Sequence, residues 1–273
     1  MALGILIVIA LLFMLWLMAD PLRIEYRRRR LRQQAFPAPW REILRQHVPY
    51  VRLLPADLQI QLKQLIQVFV AEKSFVGCDG LVVTDEMRVT IAAQACLLIL
   101  NRRTYYFPGL KEILIYPSPF IVQREQRDKL GLTQTQSRVL AGESWAQGQV
   151  ILSWPDVLAG AAVVDDGNNV VIHEFAHQLD QEKGYANGAP GLLQRHRFHR
   201  WSQILGAEFK LLQDEVRDQQ PGLFNAYGAS DPAEFFAVIS EAFFEQSQRF
   251  AAEHPDLYRE LGQLYRIDPL AWS

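Results

Sequence analysis

The stretch "VVIHEFAHQLD", residues 170–180, decides how this chain is read. It sets His173 and His177 four residues apart, with Glu174 between them and Val171, Ile172, Phe175 and Leu179 as an apolar surround. On an α-helix, residues i and i+4 lie one turn above each other, about 40° apart in projection. Two imidazoles so placed can meet at one point, as tetrahedral zinc asks of two of its ligands. Glu174 projects to one side, where it reaches a water on the metal without being a ligand itself. The competing reading is a pair of histidines hydrogen-bonded within the core. With only six histidines in 273 residues, chance rarely produces this spacing, and the pattern predicts a catalytic Zn2+ site.

A catalytic zinc keeps three protein ligands and one open position. The third ligand is not legible locally. Six residues past His177, where one class of zinc peptidases carries a further histidine, stands Lys183. His196 and His199 sit among arginines in "LQRHRFHRW" and read as a solvated helix face. Asp180, three residues after His177, could instead orient that histidine from behind. Glu234 lies in "SDPAEFF", a helix start with Asp231 as N-cap and Pro232 in the first turn. Its bland role is a capping box, reaching back to the Asp231 amide. Glu241, seven residues on, shares a face with Glu234 on a helix rich in Phe and Ala, and a polar pair facing a metal would explain both.

Around this motif the pattern is α+β and helix-rich. Leu58, Leu62, Leu65, Ile66 and Phe69 form one helical stripe, and Val89, Ala92, Ala93, Cys96 and Leu97 a second. "KEILIYPSPFIV" (111–122) and "GQVILSW" (148–154) read as strands of a small sheet, the latter as an edge strand able to pair with an extended peptide. "DDGNN" (165–169) is a turn with capping residues, residues 195–217 and 231–247 are helices, and "NAYGAS" (225–230) is a loop.

Charge is divided unevenly. Residues 1–40 carry six arginines against two acids, a net of +4, which leaves −6 on the rest of a chain whose formal charge is −2. An acidic body argues against non-specific nucleic-acid binding. Two cysteines, Cys78 and Cys96, exclude a disulfide framework. Residues 2–19, "ALGILIVIALLFMLWLMA", hold no charge and, as a helix, span roughly 27 Å, close to a bilayer core. A cleaved signal peptide would place its basic residues before the apolar run, whereas here they follow it. The expected organisation is therefore a single-pass anchor at 1–19 in the inner (cytoplasmic) membrane, a basic juxtamembrane linker at 20–39 and a cytoplasmic domain at 40–273.

Four blocks, "KEILIYPSPFIV", "GESWAQGQVILSW", "NNVVIHEFAHQLD" and "AYGASDPAEFFAVISEAFF", occur in this order. From about residue 50 onward the chain thereby resembles the zinc-dependent peptidases related to Mlc titration factor A, whose core is similar to the catalytic domain of anthrax lethal factor. The resemblance implies a zincin-like metallopeptidase domain acting on peptide or protein substrates. It implies His173, His177 and Glu234 as metal ligands, Glu174 as general base and Tyr227 as a transition-state tyrosine. It also implies a transcriptional repressor as partner, although no motif here carries that contact, and the apolar N-terminus departs from the family pattern. The rival reading is a membrane-tethered regulator-binding protein whose zinc is structural, with Asp180, His196 or His199 as fourth ligand.

Overall fold

The computed structural model describes residues 20–102, 106–127, 133–140, 142–145, 148–184, 186–190 and 195–272, together with Met14. Among these residues no helix is long and apolar enough to cross a membrane. The expected anchor at 1–19 lies, Met14 apart, outside them.

The apolar stripes set the first layer. Helices α1 (Asp20–Gln33), α2 (Ala38–His47) and α3 (Ala56–Glu72) precede strand β1 (Ser74–Gly77) and helix α4 (Asp85–Leu97). Leu58, Leu62, Leu65, Ile66 and Phe69 are all buried, as are Val89, Ala92, Ala93, Cys96 and Leu97. The 3.6-residue period therefore reports the core faces of α3 and α4, which pack on each other. Thr84 caps α4 by accepting the Met87 N–H at 3.3 Å.

The expected strand at 111–122 is two strands. β2 (Glu112–Tyr116) stops at Pro117, and β3 (Phe120–Arg127) pairs antiparallel with β4 (Thr133–Leu140) as a separate hairpin. The prolines deny the ladder two donors, and the chain uses the break to leave one sheet for another. It returns as β5 (Gly142–Trp145) and β6 (Gln149–Ser153). The main sheet has the order β1-β2-β6-β5, with the first three strands parallel and β5 antiparallel to β6. It is the small mixed sheet that the sequence predicts, but β6 is not its edge. Val150, Ile151 and Leu152 are all buried, as a strand covered on both faces requires. The outer position belongs to β5.

Helices α5 (Trp154–Ala162), α6 (Val170–Asp180), α7 (Arg195–Arg217), α8 (Pro232–Glu245), α9 (Ser247–Glu253) and α10 (Pro255–Tyr265) complete the molecule. α6 and α8 pack side by side at its centre. Behind α6, Phe175 packs edge-on against Phe107 at 4.9 Å and tilted against Phe69 at 5.7 Å between ring centroids. Burying one such ring contributes on the order of 2–3 kcal/mol. The aromatic wedge also fixes the roll of α6, because residues 173 and 177 point away from the side that carries Phe175.

The 20–39 segment, expected as a basic linker, is helical over most of its length and docked on α3. The Arg28 guanidinium donates to both carboxylate oxygens of Glu72, at 2.7 and 2.8 Å, and stacks over the Tyr106 ring at 4.6 Å. Leu31, Phe36 and Trp40 pack against the core. Arginines one turn apart meet partners that lie far along the chain, which local pattern cannot show. The Arg28–Glu72 pair is bidentate, with side chains only 13% and 17% exposed. A double-mutant cycle with Arg28→Ala and Glu72→Ala, followed by urea unfolding, is expected to give a coupling of about 1 kcal/mol. Additive losses would show that other contacts dock α1.

Candidate metal centre

Both helices that build the site start on a side-chain cap. At α6 the Asn169 Oδ1 accepts the Ile172 N–H at 3.0 Å. At α8 the Asp231 Oδ1 accepts from the N–H groups of Ala233 and Glu234, at 2.8 and 3.0 Å, and Pro232 occupies the first turn. Asp231 thus caps the helix itself, and Glu234 turns its carboxylate the other way.

That carboxylate meets the motif. Glu234 Oε2 lies 3.0 Å from His173 Nε2 and 3.3 Å from His177 Nε2, and the two Nε2 atoms are 3.3 Å apart. A tetrahedral zinc with bonds near 2.0–2.1 Å separates its ligand atoms by roughly 3.3–3.4 Å. The three atoms are therefore spaced as the base of such a site, and the two-nitrogen, one-oxygen donor set suits a borderline-soft divalent ion. Among the described residues they form the one metal-competent cluster of His, Cys, Asp or Glu. Asp180 spends Oδ2 on the N–H groups of Asn187 and Gly188, at 2.6 and 2.7 Å, and does not join it. His199 is exposed and apart, and the His196 side chain lies outside the described residues.

A second row of polar groups orients the first. His173 Nδ1 donates to Glu241 Oε1 at 2.8 Å, an arrangement that leaves Nε2 for the ligand face. Glu241 Oε2 accepts the Asn169 N–H at 2.5 Å. Asn169 in turn donates through Nδ2 to Glu245 Oε1 at 2.9 Å, and Glu245 Oε2 accepts the Gly167 N–H at 3.1 Å. Glu234 and Glu241 thus face the histidines as a pair, while Asn169 and Glu245 join from beyond what the motif shows.

The electrostatics follow from burial and crowding. Burial disfavours charge on His173, but Glu241 and Glu234 outweigh it and hold the imidazole well above its ordinary value. Burial also opposes charge on Glu234, yet hydrogen bonds from His173 and His177 keep its carboxyl well below the usual range. Burial pushes Glu245 up to about 8, with Glu241 and Asp166 adding to the shift and Asn169 and Gly167 opposing it.

Glu174 is 5% exposed and sits on α6 beside the two histidines. Strand β5 crosses directly over it. A Cβ at Gly142 would fall 2.7 Å from Glu174 Oε1 and 2.6 Å from Val170 Cγ2, so any larger residue would force those side chains to shift. A glycine that opens a strand was the available signal for it. Tyr227, in the 3-10 turn Ala226–Ala229, donates its hydroxyl to Glu234 Oε1 at 2.8 Å. All five expected site residues are therefore gathered around α6.

The description "Glucose-regulated metallo-peptidase M90" belongs to the family model that matches residues 23–266. An uncharacterized protein of Synechocystis is 38% identical over 248 residues, covering 90% of each chain. Mlc titration factor A of Klebsiella pneumoniae is 37% identical over 236 residues, covering 85% of this chain and 87% of the relative. Its Escherichia fergusonii counterpart is 37% identical over 235 residues, with the same coverage. The chain belongs to this metallopeptidase family, which implies a metal ion, and the His173, His177 and Glu234 cluster is spaced so that it could hold one.

Two measurements probe the polar row. Glu241→Gln is expected to weaken divalent-metal binding roughly 10–100-fold by titration calorimetry, with the fold unchanged by circular dichroism. Native Glu245 keeps a proton that an unfolded glutamate, at its ordinary 4.5, has already released, up to about pH 8. Stability of the metal-free protein should therefore fall as pH rises through that window. Melting temperature followed from pH 5 to pH 8 should show a shallower decline in Glu245→Gln than in the parent chain.

Proposed function

We propose that this member of the M90 family is a zinc-dependent peptidase, anchored by residues 1–19 in the cytoplasmic membrane and carrying its catalytic domain, residues 40–273, on the cytoplasmic side. The observation that carries the activity is the 3.0–3.3 Å spacing of His173 Nε2, His177 Nε2 and Glu234 Oε2 with Glu174 on the same helix. The anchor is supported by the uncharged apolar run at 2–19 and the arginines that follow it.

His173, His177 and Glu234 would hold the zinc, which when bound supplies Lewis acidity and acidifies a water ligand toward neutral pH. The Glu174 carboxylate takes a proton from the attacking water and passes it to the leaving amine, so that one water and one amide become an acid and an amine. The Tyr227 hydroxyl, held on Glu234 Oε1 at 2.8 Å, would serve as a donor to the oxygen of the scissile carbonyl. Strand β5, not β6, offers the outer sheet edge on which an extended peptide would lie by backbone pairing. The relatives' name, Mlc titration factor A, supports a transcriptional repressor as a second partner, which the anchor would confine to the membrane surface.

The test is peptide-library hydrolysis by the zinc-loaded protein. Glu174→Gln should keep its metal and lose roughly 100- to 10,000-fold in kcat. Tyr227→Phe should lose about 100-fold in kcat with little change in KM. Wild-type turnover by a metal-replete Glu174→Gln protein would remove Glu174 from the role of base.

A further inference from the structure

We infer that the outer face of α1 is a binding surface for anionic phospholipid headgroups, mounted rigidly on the catalytic domain through its opposite face. This deepens the anchored reading by naming the lipid chemistry that the arm recognises, but it rests on described residues.

At 100° per residue, α1 has two sides. Arg28, Leu31 and Arg32 share one. Arg28 binds Glu72 and Tyr106, Leu31 packs on the core, and Arg32 reaches the Tyr106 hydroxyl at 3.5 Å. Leu22, Arg23, Tyr26, Arg29 and Arg30 share the other, and every one of them is exposed. Leu22 is 74% and Tyr26 66% exposed, which sets an apolar and an aromatic side chain on the same outward face as the arginines. The two N-terminal turns touch little of the body, since residues 20–27 are exposed on all sides.

A surface that mixes arginines with a leucine and a tyrosine matches the interfacial layer of a membrane. There the guanidinium groups meet phosphates and the amphipathic ring sits at headgroup level. A nucleic acid would satisfy the arginines but not Leu22 and Tyr26, and the acidic remainder of the chain would repel it. The sequence immediately upstream is the uncharged apolar run at 2–19, which places α1 where a bilayer surface would lie. Because Arg28 and Arg32 bind the body while their neighbours face outward, headgroup contact at Arg23, Arg29 and Arg30 would set the height and tilt of the whole domain.

The full chain is mixed with vesicles of phosphatidylcholine alone or of phosphatidylcholine with phosphatidylglycerol, and amide hydrogen exchange of residues 20–30 is read by mass spectrometry. Exchange there should slow in the anionic vesicles relative to the neutral ones, and salt should reverse the difference. Each arginine at an anionic surface strengthens partitioning roughly fivefold. The triple variant Arg23→Gln, Arg29→Gln, Arg30→Gln should therefore abolish the lipid dependence while peptidase activity and melting temperature stay at the parent values. Equal protection in both lipids, or lipid dependence retained by the triple variant, overturns the inference. Failure of the anchor itself shows separately, as absence of flotation with neutral vesicles. A competing single-stranded oligonucleotide that removes protection more effectively than phosphatidylglycerol restores it would also overturn the assignment to lipid.

Discussion

Everything at the centre of this molecule depends on how three largely buried ligand atoms, two nitrogens and an oxygen, are held within 3.0–3.3 Å of one another. Polar groups out of water are costly unless each has a partner. Here the partners come from two helices that must therefore stay in register. α6 supplies both imidazoles, and α8 supplies Glu234 below and Glu241 behind. A slip of one residue along either helix would turn a carboxylate into the apolar wall and leave an imidazole unsatisfied. The close packing of α6 and α8 is thus as much an electrostatic requirement as a hydrophobic one.

The apolar core serves that requirement from behind. Phe69, Phe107 and Phe175 lock the roll of α6. On the far side of α8, Phe243 stacks on Tyr265 with ring centroids 5.5 Å apart, and Ser240 shares a hydrogen bond with the same tyrosine at 2.7 Å. Both helices are held by large rings on one flank and present acids and histidines on the other. The outer strand β5 is fitted to this frame by a missing side chain, since Gly142 lets it pass against Glu174. The metallopeptidase centre is in this sense an interface between a helix pair and a strand.

What could be read from the chain alone follows the range of each interaction. His173, Glu174 and His177 are legible because a single helical turn brings them together, and the core stripes of α3 and α4 for the same reason. Glu234 is 61 residues from His173, and its local setting, behind an Asp-Pro helix start, is equally that of a capping residue. Only the resemblance separated the two roles, and in the fold it is the Asp231 side chain that caps the helix. The placement of β6 at an edge failed because strand order in a sheet is not strand order in the chain, and a four-residue strand at Gly142–Trp145 is too short to announce itself. That the arginine run of α1 is helical and docked was not legible, because Glu72 and Tyr106, which take up Arg28, lie 44 and 78 positions further on.

Asn169 has a consequence of another kind. Its side chain starts α6, its backbone N–H fixes the acid that orients His173, and its amide nitrogen holds Glu245. Helix initiation and ligand orientation are therefore one event at one residue, and neither can be relaxed alone. By linkage, whatever occupies the three donor atoms also draws the start of α6 toward its native form, and an ion at a hundredfold its dissociation constant adds about 2.7 kcal/mol to the stability of the fold. A metal-free population would then open more often at the helix that bears the motif, so that the same three atoms set how long the fold persists.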